Sequence, residues 1–387
     1  MKKLRICYVN PPVLLKRPIA EIIDKMGEKG YKISLLIPKK LFKKRDESKY
    51  YSSMIKKSKI YTYSTINPPF LSIEQPIPAT LMFPVNVFKA LKENDIIHMW
   101  VPYYLTSLKI ILIKKIFFPK KKLILTMDTI PGYSFSMGKF WDTMFKIYNT
   151  LFGWALFGTP KIITLYGKDL VKYAEKAGAK KEKIKVIPTG IEIKKAEKKD
   201  INVRKEFGID AKTKIVLFVG MIMPRKGIDK IIKIANKLKK EKVIFLLAGE
   251  KRYGQEEYEK TIKKLNLEKK VLFLGQRKDI RRLCSEADVF LLPAEGEGLP
   301  GVIMEAMTFG VPCVASNIPC ITDLVEHGKT GFLCHPKNIN DFTDKVKMII
   351  KNDTLKDKLG KAGLKKIKEF DWKKIIVKYE KLYQDPI

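Results

Sequence analysis

The stretch VFLLPAEGEGLPGVIMEAMTFGVPCVAS, from Val289 to Ser316, decides how this chain folds. It predicts, in order, an apolar strand over Val289 to Leu292, a turn over Pro293 to Gly301, a helix over Val302 to Phe309 and a second strand over Pro312 to Ala315. A strand, loop, helix and strand in this order form the repeating unit of an α/β domain with a parallel sheet.

The turn in this stretch favours an anion. It joins the carboxyl end of a strand to the amino end of a helix, where unpaired backbone N–H groups and the helix dipole attract negative charge. Gly298 and Gly301 let a ligand approach the backbone, and Pro300 stiffens the loop before the helix. The turn therefore predicts a phosphate-binding loop.

Three carboxylates frame this loop: Glu295 and Glu297 in the turn, and Glu305 in the helix. Because a carboxylate accepts two hydrogen bonds from neighbouring hydroxyls, this combination suits a sugar nucleotide better than a bare phosphate. For any single Glu, a solvated turn or helix position is the more common case. Glu305, however, lies in an otherwise apolar helix, where a buried carboxylate needs a partner.

The segment EGLPGVIMEAMTFGVPCVAS resembles the signature of the family 4 retaining glycosyltransferases, in which two Glu flank a Gly-Leu-Pro turn. The resemblance implies that Glu305 holds the ribose hydroxyls of a nucleotide and that Glu297 contacts the donor sugar. It also places Gly298, Leu299 and Pro300 at the donor. It further implies retention of configuration and an α/β fold of GT-B type, with two Rossmann-like, doubly wound domains facing across a cleft.

The rest of the chain fits two such domains. The N-terminal residues predict a βαβ opening, with a strand over Leu4 to Val9, a helix over Pro18 to Lys29 and a strand over Lys32 to Pro38. KVIPTGIE, from Lys185 to Glu192, resembles the segment that closes the family's first domain. We therefore expect an acceptor-binding domain over residues 1–190, completed by a C-terminal helix at about 370–387, and a nucleotide-sugar-binding domain over 191–369.

The second domain opens with a strand followed by GMIMPRKG, where Gly220 permits a turn and Lys226 can place its ammonium on a pyrophosphate. A solvated lysine in a polar turn is the alternative for Lys226 alone. The segment resembles the family's Gly-Arg-x-x-x-x-Lys-Gly, whose two basic residues stabilise the departing nucleoside diphosphate. Lys226 matches the lysine, whereas Met221 replaces the arginine. Arg225 is the candidate that compensates, with a solvent-facing arginine as the alternative.

Four further residues lie in segments that resemble the family. Gln276 and Arg277 follow a predicted strand at the point where the chain of relatives passes the nucleobase, so their backbone is a candidate donor contact. Asp128 stands where many relatives have a His near the transferred sugar, and it is a candidate base or acceptor-binding residue, with a turn cap as the alternative. His98 matches a family His, although a structural role is the more common case.

The composition of the chain limits which classes of protein it can belong to. With 387 residues, 45% of them hydrophobic, the chain has enough length for two or three domains. The apolar run at the N-terminus is too short for a signal peptide, and no run of about 18 apolar residues predicts a membrane span. Five scattered Cys favour a reduced cytoplasmic compartment without structural zinc. The sequence contains no Asp-x-Asp pair, so we expect neither a metal nor any cofactor beside the donor substrate.

The net charge of +36 comes far more from Lys than from Arg. Such a surface attracts polyanions, but no segment interleaves Arg and aromatics as nucleic-acid recognition requires, so we favour an anionic membrane. A Lys-rich surface of thermophile type is the alternative. Leu105 to Leu125 and Met144 to Tyr166 mix Lys with large apolar residues and suit a lipid interface, or else are core elements with basic ends.

Together these features predict a hexosyltransferase-type glycosyltransferase at the inner face of the membrane, with a UDP or GDP sugar as donor. The acceptor would be a glycan or a lipid-linked sugar in the synthesis of cell-surface glycans or glycolipids. Asp128, Lys226 and Glu297 are the candidate catalytic residues. The alternatives are a nucleotide-sugar epimerase of the same fold, in which we would expect more than the three His present, and a non-catalytic relative that binds membranes or polyanions.

Overall fold

A computed structural model describes residues 4–12, 17–39, 58–66, 77–78, 82–193, 203–251 and 254–385. Residues 13–16, which follow the first strand, and residues 194–202, which follow the predicted domain boundary, lie outside the described residues. The chain forms two compact units: unit 1 comprises the described residues of Met1–Gly190 and Lys373–Ile387, and unit 2 those of Ile191–Trp372.

Unit 1 is built on a seven-stranded parallel sheet with the order β3-β2-β1-β6-β7-β8-β9, beside a short antiparallel pair, β4 and β5. Its strands are β1 Arg5–Val9, β2 Lys32–Pro38, β3 Lys59–Tyr63, β4 Thr65–Ile66, β5 Ile77–Pro78, β6 Ile96–Trp100, β7 Lys122–Met127, β8 Ile162–Leu165 and β9 Ile184–Val186. Its helices before the boundary are α1 Arg17–Glu28, α2 Met82–Glu93, α3 Leu105–Phe117, α4 Lys139–Leu156 and α5 Val171–Lys176.

Unit 2 is built on a six-stranded parallel sheet with the order β12-β11-β10-β13-β14-β15. Its strands are β10 Lys214–Val219, β11 Val243–Ala248, β12 Val271–Gly275, β13 Val289–Leu292, β14 Cys313–Ser316 and β15 Gly331–Cys334. Its helices are α6 Val203–Glu206, α7 Ile228–Lys237, α8 Gln255–Lys264, α9 Ile280–Glu286, α10 Gly301–Thr308, α11 Ile321–Leu324, α12 Ile339–Ile350 and α13 Asp353–Ile367. The last helix, α14 Trp372–Gln384, lies almost wholly in unit 1.

The order of strands in unit 2 reverses between β10 and β13. β10 pairs with β11 on one side and with β13 on the other, and all three strands are parallel. Their carboxyl ends therefore meet at one edge of the sheet, which is where ligands bind in open α/β sheets. All residues of β11 and β13 are buried, as expected when helices cover both faces of a parallel sheet.

A buried polar chain attaches α14 to the sheet of unit 1. The hydroxyl of Tyr383 lies 3.1 Å from that of Tyr8 and 2.7 Å from Nδ1 of His98. Nearby, the ammonium of Lys122 donates to the carbonyls of Leu382 and Asp385, each at 2.8 Å. Because these groups satisfy one another in the interior, α14 is held by polar as well as apolar contacts.

The predicted α/β class, with a parallel Rossmann-like sheet in each of two units, is confirmed. Strands β2 and β13 have the predicted bounds, while the predicted helix at Val302 begins one residue earlier. No helix in the described part of the chain is long and apolar enough to cross a membrane.

Candidate functional site

The loop that follows β13 is attached to the turn that precedes α7. This turn is a short 3-10 segment, Pro224–Lys226. The backbone N–H of Glu295 donates to the carbonyl of Arg225 at 3.0 Å, and the guanidinium of Arg225 donates in return to the carbonyl of Gly296. The structure therefore brings Arg225 to the loop predicted to bind phosphate, where its side chain holds the backbone.

Two lysine–glutamate pairs strengthen this attachment. Nζ of Lys226 lies 2.5 Å from Oε1 of Glu297, and Nζ of Lys230 lies 3.0 Å from Oε1 of Glu295. The first pair is nearly buried, with side-chain exposures of 11% and 8%, whereas the Glu295 side chain is 63% exposed. Lys226 and Glu297, two predicted catalytic residues, are thus in direct contact within unit 2.

The close approach of turn and loop depends on Gly227. Its φ of +76° is left-handed, and a Cβ atom at this position would lie 2.3 Å from the carbonyl oxygen of Pro293. Gly249, after β11, is equally constrained, because its Cβ atom would lie 1.8 Å from the carbonyl oxygen of Gly220. At both places only glycine fits, so the ends of β10, β11 and β13 present backbone to the site.

The amino end of α10 forms the other side of the loop. Pro300 occupies the N-cap and supplies no side-chain cap, so the first N–H groups of α10 keep their capacity to bind an anion. Leu299 is buried and fixes the loop on the core, while Gly298 is half-buried. This geometry suits a phosphate at the helix terminus.

Glu305 lies one turn into α10 and is only 7% exposed. Burial, and secondarily the charge of Glu305, raise the pKa of the Cys284 thiol well above its ordinary value. The carboxylate therefore acts on its surroundings inside unit 2 rather than extending into solvent. A buried carboxylate near an uncapped helix terminus has the chemistry to hold a vicinal diol.

Arg277 takes part in a different network. Its guanidinium lies 2.7 Å from Oε1 of Glu206 and 2.8 Å from Oδ2 of Asp279, and Arg282 contacts the same two carboxylates. The pKa values of the Glu206 and Asp279 carboxyls are lowered, and the main cause for each is its hydrogen bond from Arg277. Because the side chain is engaged there, the predicted contact with a nucleobase would use the backbone of residues 276 and 277, and it stays a prediction.

Asp128 and His98 belong to unit 1. Asp128 follows β7, is half-buried, and has the hydroxyl of Thr129 at 3.5 Å. His98 is fully buried between Tyr383 and Thr126, whose hydroxyls lie 2.7 Å and 2.6 Å from its two ring nitrogens. Burial lowers the pKa of His98 to about 3. His98 is therefore a structural residue, while the role of Asp128 stays a prediction.

Lys230 is a site residue that the sequence analysis did not identify. It is 7% exposed, and its ammonium lies 3.4 Å from the carbonyl oxygen of Pro293 in addition to its pair with Glu295. Its position one helical turn after Lys226, on an otherwise apolar helix face, was the available signal. Within the described ranges, no group of three or more His, Cys, Asp or Glu could hold a metal ion.

Known proteins resemble this chain in sequence and in structure. The N-acetyl-alpha-D-glucosaminyl L-malate synthase of Bacillus anthracis is 30% identical over 186 residues, covering 47% of this chain and 48% of that protein. The UDP-Gal:alpha-D-GlcNAc-diphosphoundecaprenol alpha-1,3-galactosyltransferase of Escherichia coli is 26% identical over 269 residues, covering 67% and 69%. The chain spans about half the length of the first curated relatives it matches.

Solved structures show the same fold over the whole chain. The Anabaena protein HepE, in complex with UDP and glucose, has a TM-score of 0.76 at 20% identity and covers 99% of this chain and 100% of its own. The family described as Glycosyl transferases group 1 matches residues 199–366, which contain every element of the site in unit 2. The part of this chain that matches the group 1 glycosyl transferases is therefore the part that holds the loop, the turn and Glu305.

Proposed function

We propose that this protein is a hexosyltransferase that moves a sugar from a nucleoside diphosphate sugar to a glycan or lipid-linked acceptor. The observation that carries the proposal is the nearly buried contact of Lys226 with Glu297 at the loop before α10, inside the part of the chain that matches the group 1 glycosyl transferases. A cation and a carboxylate held together at this loop support a site for a diphosphate and its sugar.

In this proposal the donor lies against unit 2. The diphosphate takes the amino end of α10 and the ammonium of Lys226, which stabilise the negative charge that grows as the sugar departs. Glu297 accepts hydrogen bonds from the sugar, and Glu305 from the ribose hydroxyls. Neither role needs a metal ion, so we expect transfer to persist in the presence of EDTA. Retention of configuration is part of the same proposal.

The names of two relatives support a lipid-linked acceptor. The Escherichia coli relative uses a sugar on diphosphoundecaprenol, and so does the alpha-1,3-N-acetylgalactosaminyltransferase of Campylobacter jejuni, which is 30% identical over 222 residues. HepE was solved with UDP, which supports a UDP sugar as the first donor to test. A cytoplasmic position at an anionic membrane surface completes the proposal, because a net charge of +36 favours such a surface.

A second candidate is a protein that binds the donor without transfer. Met221 stands at the position of the family's arginine, and the guanidinium of Arg225 is engaged with the carbonyl of Gly296. The leaving group would then meet one basic side chain instead of two. This arrangement favours slow turnover with intact nucleotide binding.

A transfer assay tests the proposal. The full chain is incubated with UDP, GDP or ADP sugars and a polyprenyl-diphosphate-linked sugar, and both nucleotide release and labelled lipid are measured. Glu305→Gln should lower acceptor-dependent release by at least about tenfold, because the variant loses the charged acceptor for the ribose hydroxyls. Glu256→Gln, at an exposed position in α8, is the matched control and should retain wild-type turnover. Nucleotide binding without any transfer would support the second candidate instead.

A further inference from the structure

Helix α4 in unit 1 carries an exposed apolar stripe. Five large apolar side chains recur along it at spacings of four and three residues. They are Phe140 (69% exposed), Met144 (44%), Ile147 (46%), Leu151 (59%) and Trp154 (56%). The helix is fixed to the core from its other face, where Phe145 and Leu156 are buried. The stripe is thus the outer face of a packed helix, roughly 21 Å long at 1.5 Å per residue.

Lysines accompany this stripe. Nζ of Lys115, on α3, lies 4.1 Å from the ring centroid of Trp154, and Lys139 and Lys146 are exposed on α4 itself. Within the described part of the chain, none of these three lysines pairs with a carboxylate. The acidic residue of the first turn, Asp142, is engaged by the Ser136 hydroxyl at 2.5 Å and by a backbone N–H. The charge beside the stripe is therefore positive.

The neighbouring helices also expose large apolar side chains close to lysines. α3 packs against both α2 and α4, and its last turn exposes Ile116 and Phe117 by 67% and 60%. Between α2 and α3 lies a cavity of about 800 Å³, whose lining includes the apolar Val85, Phe88 and Phe117 together with Lys89, Lys92 and one acidic residue, Glu93. Three adjacent helices thus present large apolar side chains next to Lys.

We propose that the α4 stripe, with Lys115 and the last turn of α3, is the face by which this protein docks on an anionic lipid bilayer. Trp and Phe would enter the boundary between headgroups and acyl chains, while Lys115, Lys139 and Lys146 reach the anionic headgroups. Charge complementarity selects this occupant over a second copy of the chain, because two molecules of net charge +36 repel each other whereas an anionic surface attracts them.

This surface extends the proposed function, since a lipid-linked acceptor would lie at the same bilayer, but its test does not require transfer. The full chain is sedimented with vesicles of phosphatidylcholine alone and of phosphatidylcholine mixed with phosphatidylglycerol. We expect binding to the mixed vesicles that is at least about tenfold tighter and that weakens with salt. Leu151→Gln/Trp154→Gln should weaken it by about tenfold or more, because two apolar side chains lose their burial.

Further variants test whether vesicle binding depends on the stripe and its lysines. Met348→Gln/Val377→Gln removes two apolar side chains of similar exposure, 43% and 56%, outside the stripe and should change vesicle binding by less than about twofold. Lys115→Glu/Lys146→Glu should weaken binding to the mixed vesicles by about tenfold. Since all these positions are exposed, circular dichroism should show that each variant is folded.

Two outcomes would overturn the inference. One is equal vesicle binding by the wild type and the Leu151→Gln/Trp154→Gln variant. The other is a wild-type dimer in light scattering that this variant converts to a monomer, which would assign the stripe to a second copy. Nucleotide binding, measured on the same samples, separates the proposals: vesicle binding without nucleotide binding supports the membrane face and contradicts the proposed function.

Discussion

Removing one member of the Lys226–Glu297 pair should destabilise unit 2 far more than removing both. The side chains are 11% and 8% exposed, so Lys226→Met leaves Glu297 as a nearly buried carboxylate without its cation. Breaking a buried pair in this way costs about 3–5 kcal/mol, whereas replacing both members costs much less. For a unit of this size each kcal/mol lowers the melting temperature by about 2–4 °C.

The assay is a double-mutant cycle measured by thermal and urea unfolding, with circular dichroism as the readout. Lys226→Met and Glu297→Gln singly should lower the melting temperature by about 6 °C or more, and the double variant should recover most of that loss. The control pair is Lys233 and Asp229 on α7, whose Nζ and Oδ2 lie 3.6 Å apart at exposures of 63% and 46%. Lys233→Met should change stability by less than about 1 kcal/mol.

A Lys226→Met variant that melts like the wild type, or a double variant that loses the sum of the two single losses, would contradict this prediction. In either case Glu297 would not hold the ammonium of Lys226 in the absence of ligand. The cycle also bears on the proposed function, because a lysine already held in place beside the loop would bind a diphosphate without first being ordered.

Two other predictions concern the fold around the site. His98 has a pKa of about 3 in the folded chain against an ordinary value of 6.5, so its neutral form stabilises unit 1 above about pH 6.5. This stabilisation of roughly 5 kcal/mol is lost as the pH falls from 6.5 towards 3. The melting temperature of His98→Asn should be lower than that of the wild type at neutral pH and should fall less steeply as acid is added. The control variant His335→Asn changes an exposed position and should melt like the wild type at neutral pH. Parallel pH profiles for His98→Asn and the wild type would contradict this prediction. Gly249→Ala should destabilise unit 2 by about 1–3 kcal/mol in urea unfolding, since its Cβ atom would lie 1.8 Å from the carbonyl oxygen of Gly220. The control variant Gly27→Ala in α1 should not destabilise the chain, because no atom lies within 4 Å of the added Cβ atom. An unchanged urea midpoint for Gly249→Ala would show that the two strand ends are farther apart.

The sequence predicted the elements around Val289 to Ser316 because apolar runs, glycines and prolines mark strand and helix ends locally. It could not predict pairings that tertiary structure creates. Arg277 contacts Glu206 from 71 positions away, and Lys230 reaches Glu295 only because β10 and β13 are neighbours in the sheet. His98 shows the same limit: the motif around it was visible, but its structural role depends on Tyr383, 285 positions away.

The match to the group 1 glycosyl transferases supports one central claim, a nucleotide site that uses Glu305. The measurement that tests it most directly is the thermal stability of the full chain with UDP, GDP, ADP and CMP, beside a Glu305→Ala variant. A nucleotide at about a hundred times its dissociation constant should stabilise the wild type by about 2.7 kcal/mol, and the variant by much less at the same concentration. Equal stabilisation of the wild type and the variant, or no stabilisation by any of the four nucleotides, would contradict the account.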